Sequence, residues 1–208
     1  MNAREVGQSP DEIFDVVDEQ DQVIGREFRR EIHRRGLRHR AIHIFWLRGD
    51  GQLCLQRRSY AKDNCPGLLS TSCAGHVDSG EDYLTAAVRE LREELGVSVP
   101  SSALREIDYA PCHVDLGNEF VRVYLLRGDF AVTVAAFEVD SVLWRTPAET
   151  VGWALAAPEV FSTPLCHLLG RASVRQACRS RVHQPLPLCQ TEHFTPVRLV
   201  VLGLRSRT

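Results

Sequence analysis

Residues 75–97 read GHVDSGEDYLTAAVRELREELGV and carry four glutamates, Glu81, Glu90, Glu93 and Glu94. At about 100° per residue, Glu90, Glu93 and Glu94 share one side of a helix, opposite a stripe of Leu84, Ala87, Val88, Leu91 and Leu95. Like charges three and four residues apart oppose helix formation by roughly a few tenths of a kcal/mol per pair. Arg89 can offset Glu93, but neither Glu90 nor Glu94 has a basic residue four positions back. Such a face is either a solvated acidic surface or an all-oxygen cradle for a hard divalent cation such as Mg²⁺. Periodicity alone leaves both open.

Other residue types narrow the chemistry less. Lys62 is the single lysine beside 24 arginines, which makes its position worth attention. Seven cysteines at irregular spacings, with no CxxC pair, argue for free thiols and against a disulfide framework. A zinc site using Cys65, Cys73 and His76 fits no standard ligand spacing.

The elements that must hold the glutamates can be placed from pattern. A helix is predicted from Glu81 to Leu95, with Ser79 and Asp82 at capping-box spacing and Gly96 just past its end. Upstream, DEIFDVVDEQDQVIG reads as a hairpin, FRREIHRRGLRHR as a basic helical connector broken at Gly36, and AIHIFWLRGDGQLCLQRRS as a second hairpin. Residues 61–81 are loop-rich. Downstream, FVRVYLLRG and FAVTVAAFEV are predicted as two strands paired through RGD, followed by helical segments interrupted by Pro158 and Pro164. Residues 171–208 change character: seven arginines against one glutamate, where residues 1–170 hold 18 basic and 26 acidic residues. The chain is therefore read as one domain over 1–170 and a basic extension over 171–208.

Composition is that of an ordinary globular protein, 44% apolar and 25% charged. No apolar run approaches the ~20 residues of a membrane span, and the polar, acidic start does not read as a secretory signal. A cytoplasmic location is the default expectation, nucleic acid is not an expected partner, and a homodimer is left open.

Gly75, Glu81, Arg89, Glu90, Leu91, Glu93, Glu94, Gly96 and Val97 match every fixed position of G-x5-E-x7-R-E-U-x-E-E-x-G-U, with U a bulky aliphatic. The segment thus resembles the Nudix box. The resemblance implies an α/β fold, the Nudix α/β/α sandwich around a mixed β-sheet. The implied activity is hydrolysis of a small-molecule diphosphate with Mg²⁺ or Mn²⁺ and water. By position, Glu93 and Glu94 would be the main metal ligands and Glu90 a further ligand or the water-activating base. Glu81 and the carbonyl of Ala74 would complete the shell, with Arg89 orienting the glutamates.

Outside the box, LRHRAIHIF, LCLQRRS and AGHV resemble the branch containing isopentenyl-diphosphate isomerase and its hydrolase relatives. That branch implies Arg58 and Lys62 as diphosphate ligands, and His39, His76 and Glu119 as ligands of a metal outside the box. Departures follow: a further glutamate position falls on Gly117, and an upstream histidine matches His33 only after a gap. The isomerase cysteine position is Ala74, and Cys73, one residue away, would face the other side of an extended segment. Hydrolysis is therefore expected; isomerase-like activity or a non-catalytic diphosphate-binding module are the alternatives. Glu119, Glu138 and Asp140 are candidate bases outside the box, and Trp46, Tyr60, Phe120 and Tyr124 are candidates to stack on a base.

Overall fold

The computed structural model describes residues 9–179. Most of the basic extension, residues 180–208, lies outside the described residues. The first hairpin pairs β1 (Ile13–Val17) with β2 (Val23–Phe28). Helix α1 (Arg29–Arg35) follows and stops at Gly36, whose left-handed backbone (φ 62°) lets its N–H reach the carbonyls of Ile32 and His33.

A seven-stranded mixed sheet forms the body. Its strands are β3 (His39–Leu47), β4 (Leu53–Arg58), β5 (Leu69–Ser70), β6 (Cys73–His76), β7 (Leu104–His113), β8 (Glu119–Arg127) and β9 (Val139–Arg145). The spatial order is β5-β4-β3-β8-β7, with β6 also paired to β3 and β9 to β4. The β3–β8 pair is parallel and sets His39 opposite Glu119; β6 runs antiparallel to β3 and sets Ala74 opposite His43.

Strand alternation splits the core in two. Ile42, Ile44 and Trp46 of β3 pack on one face with Ala86, Ala87, Leu91 and Leu95 of helix α2 (Tyr83–Leu95). Ala41, Phe45 and Leu47 pack on the other with Leu165, Leu168 and Leu169 of helix α4 (Thr163–Gly170), and Val174 and Ala177 of helix α5 (Ala172–Arg179). Helix α3 (Pro147–Ala156) precedes these, opened by a capping box between Thr146 and Glu149. The result is the expected α/β/α sandwich. Helix α5 belongs to the segment read as a basic extension, and its apolar side joins this core.

Three local readings need correction. Helix α2 begins at Tyr83, because Asp82 caps it alone, accepting from the N–H groups of Leu84 and Thr85. Ser79 is diverted, donating its hydroxyl to Asp15 at 2.7 Å. FAVTVAAFEV is not a strand: residues 130–138 form loop and turn that cover α2, with Thr133 and Ala135 donating to the carbonyls of Leu95 and Glu94. The strand begins at Val139 and pairs with β4, not β8. Strand β7, with scattered charges and an irregular alternation, was missed; its two register shifts against β8 explain why no clean period-2 pattern survives.

Candidate active site

The α2 glutamates do not form one uniform solvated face. Glu94 is 1% exposed, Glu90 is half-buried and Glu93 is open to solvent. Glu94 Oε2 accepts from Gln56 Nε2 and from the Ala74 N–H, each at 3.2 Å. Strand β4 supplies Gln56 because Cys54, Gln56 and Arg58 alternate onto the α2 side of the sheet. A glutamine in the otherwise apolar start of LCLQRR was the sequence signal for it.

Arg89 sits at the centre of the acidic group. It donates to Glu81 (3.1 and 2.8 Å), to Glu90 (2.7 Å), to Glu93 (3.2 Å) and to the His76 carbonyl (2.9 Å). One guanidinium therefore fixes three glutamates and ties α2 to strand β6. Burial, reinforced by the adjacent Glu94 carboxylate, pushes Glu90 up to about 8. Gly75 is what admits Glu90 so close to β6: a Cβ at residue 75 would overlap the Glu90 carboxyl group.

A second cluster lies along the same cleft. His39 Nε2 and His76 Nε2 stand 3.4 and 3.2 Å from Glu119 Oε1, and candidate ligand nitrogens of His33, His39 and His76 lie within 4.8 Å of one another. The register of β3, β6 and β8 brings three of these together, and α1 adds His33. The gap in the sequence match is thus closed in space. Burial lowers His33 and His76 to about 4, so both rings are neutral at pH 7. Burial alone would raise Glu119, but its contacts with His39 and His76 hold it well below the usual carboxylate range. Gly117 takes the position of the missing glutamate, in a left-handed turn (φ 78°) that, with Asn118, swings Glu119 inward.

Lys62 is buried and pairs closely with Glu138, with Glu94 Oε1 3.9 Å away. Burial lowers its pKa, and Glu94 opposes that shift. Arg58 donates to the Asn64 carbonyl at 2.9 Å. Both residues line a cleft of about 630 Å³, together with Glu90, Glu93, Glu94, Ala74, His33, His76, Glu119 and Glu138. Among the candidate bases, Asp140 is exposed and bonded to Ser141, and Glu119 is engaged by imidazoles. Glu138 lines the cleft.

The donor sets fit divalent cations. The glutamates supply an oxygen-only set in which Glu90 is paired with Arg89 and the Glu94 carboxylate has Lys62 as its nearest cation, 3.9 Å away. The histidines supply imidazole nitrogens: His33 Nε2 is buried without a hydrogen-bond partner, and His39 Nε2 has only its 3.4 Å contact with Glu119. Cys65 and Cys73 do not join His76: Cys73 points into the core against α2, fully buried, as its one-residue displacement from Ala74 predicted. Trp46, Phe120 and Tyr124 are buried away from the cleft lining, and Tyr60 is exposed outside it, so none of the four stacking candidates lines the cleft. No described helix is long and apolar enough to cross a membrane.

Comparison with known proteins gives the family and the fold. A family model for the NUDIX domain matches residues 37–164. An uncharacterised Nudix hydrolase of Nostoc sp. is 35% identical over 143 residues, 68% of this chain and 85% of that protein. An isopentenyl-diphosphate Delta-isomerase of Serratia proteamaculans is 34% identical over 154 residues, 73% of this chain and 86% of that protein. Among solved structures, a Deinococcus radiodurans protein superposes with a TM-score of 0.66 at 30% identity, over 81% of this chain and 100% of that one. The chain belongs to the Nudix family, as a pyrophosphohydrolase of the Nudix type.

Proposed function

We propose that this chain hydrolyses the diphosphate bond of a small organic pyrophosphate by water attack, with Mg²⁺ or Mn²⁺ held by Glu90, Glu93 and Glu94. The observation that supports this most is the burial of Glu94 beside Glu90 in a cleft that Arg58 and Lys62 also line, a charge arrangement that a cation would complete. When bound, the cations neutralise diphosphate oxygens and acidify the attacking water.

The chain's own groups do the positioning. The Ala74 N–H and Gln56 hold Glu94, leaving the Ala74 carbonyl as a further oxygen donor. Arg89 holds Glu81, Glu90 and Glu93 in one array, with Glu93 the most exposed of the three. Arg58 and Lys62 grip the diphosphate; Lys62 must exchange its Glu138 partner for a phosphate oxygen to do so. Glu138, released by that exchange, takes the proton from water. His33, His39, His76 and Glu119 hold a second cation in the same cleft.

The isomerase alternative lacks its thiol, since Cys73 is buried in the core and Ala74 occupies the cleft position. Burial moreover raises the Cys73 thiol well above its ordinary value. The test is a panel of nucleoside di- and triphosphates, sugar nucleotides and prenyl diphosphates, assayed for phosphate and pyrophosphate release with Mg²⁺ and Mn²⁺. At least one class should turn over with wild type and not with Glu94→Gln. Equal, background-level release by both proteins across the panel would contradict the proposal and favour a binding module.

A further inference from the structure

Among the described residues, a second grouping of metal-capable side chains stands apart from the glutamate and histidine sets above: His113, Asp115 and His167. His113 ends β7, Asp115 lies in the 3₁₀ turn Val114–Leu116, and His167 is on α4. The three residues thus join two elements far apart in sequence. Leu116, fully buried, anchors the turn in the core, and Asp115 also lines the rim of the cleft.

Asp115 Oδ2 stands 3.3 Å from His113 Nδ1 and 3.4 Å from His167 Nδ1, and the two rings are tilted by 38° with centroids 4.6 Å apart. With metal–nitrogen and metal–oxygen bonds of about 2.1 Å, neighbouring ligands on a tetrahedral ion lie about 3.4 Å apart. The observed separations are edges of such a shell. The side chains are 48%, 46% and 22% exposed, so water can fill the remaining position. Two imidazoles and one carboxylate suit a borderline cation, whereas the glutamates of α2 suit a hard one. His113 Nδ1 currently accepts the Asp115 N–H at 3.1 Å. That bond would be given up if Nδ1 became the ligand, and the exposed N–H would then find water.

We propose that His113, Asp115 and His167 form a binding site for a borderline divalent cation, Zn²⁺ first among them, which clamps the rim of the cleft to helix α4. Since none of the three residues belongs to the hydrolytic machinery proposed above, the two readings fail independently.

The experiment strips the full chain with chelator, reloads it with Zn²⁺ and measures bound metal per chain after desalting. Wild type should hold one equivalent more than His113→Ala/His167→Ala, and Zn²⁺ should raise the melting temperature of wild type more than that of the variant. Co²⁺ loading of wild type should give visible absorption of tetrahedral strength that the variant reduces. Asp115→Asn, which keeps the shape of the turn, should repeat the loss and covers the case in which the double variant folds poorly. Equal stoichiometry in wild type and both variants would overturn the proposal and leave a hydrogen-bonded His–Asp–His bridge. Mg²⁺-supported hydrolysis by the double variant should match that of wild type.

Discussion

Gly75 and Glu90 occupy space that only a residue without a side chain could share: a Cβ on Gly75 would overlap Cγ, Cδ and Oε1 of Glu90. The backbone of Gly75 is not left-handed, so alanine meets no conformational obstacle there and acts only by displacing the carboxylate. Gly75→Ala should therefore lower kcat by about 10²-fold, the scale of losing one positioned electrostatic or acid–base group. Its thermal midpoint in chelator should stay close to that of wild type. A fully active Gly75→Ala enzyme would show that Glu90 need not sit against β6.

Glu94 is held by Gln56 and the Ala74 N–H, and its neutral isostere keeps that shape. Glu94→Gln is expected to lower kcat by at least about 10²-fold under saturating Mg²⁺. Steady-state kinetics on the best substrate of the panel measures this. A loss much below that size would remove Glu94 from the list of principal cation ligands.

Lys62 compensates buried carboxylates while no cation is present. Breaking a buried ion pair from one side costs about 3–5 kcal/mol, because the partner charge is left unpaired. Lys62→Met should accordingly be destabilised in chelator, and saturating Mg²⁺ should narrow the gap from wild type. Denaturant melts with and without Mg²⁺ read both quantities. The same variant should raise KM for the diphosphate. A gap that Mg²⁺ leaves unchanged would separate Lys62 from the cation site.

Glu90 offers a signature in pH. Its carboxyl group titrates near 4.5 when unfolded and at about 8 in the folded, cation-free chain. Between these values the folded state keeps a proton that the unfolded state releases. This group therefore makes stability in chelator fall as pH rises from about 4.5, levelling above about 8. A cation must displace that proton, so Mg²⁺ binding at pH 7 should release close to one proton, and at pH 9 few. Calorimetry in buffers of different ionisation enthalpy measures the count. No release at pH 7 would mean that Glu90 is already ionised.

Part of this site is legible in the sequence. The glutamate spacing, the Gly36 and Gly96 helix ends and the hairpin into β4 follow from local rules, because each depends on residues close in sequence. Cys73 was placed correctly because alternation alone decides which face it takes. What was not legible depends on contacts across the chain. The burial of Glu94 comes from Gln56 and Ala74, brought to it by the sheet. The convergence of His33 with His39, His76 and Glu119 needs α1 laid beside the aligned ends of β3 and β8. The β9 error has the same origin: AVTVAA has strand composition, yet its backbone donors go to the end of α2. Stacking candidates failed because Trp46, Phe120 and Tyr124 fill the core while Tyr60 is exposed outside the cleft.

The central claim, that water attacks a diphosphate in the cleft of α2, is tested most directly by hydrolysis in ¹⁸O-labelled water with phosphorus NMR of the products. The best substrate of the panel and isopentenyl diphosphate would be run side by side, with wild type and Glu94→Gln. The account expects one ¹⁸O in one of the two phosphate-bearing products of the best substrate, formed only with divalent metal and only by wild type. Conversion of isopentenyl diphosphate to its allylic isomer with no phosphate released from any substrate would contradict it.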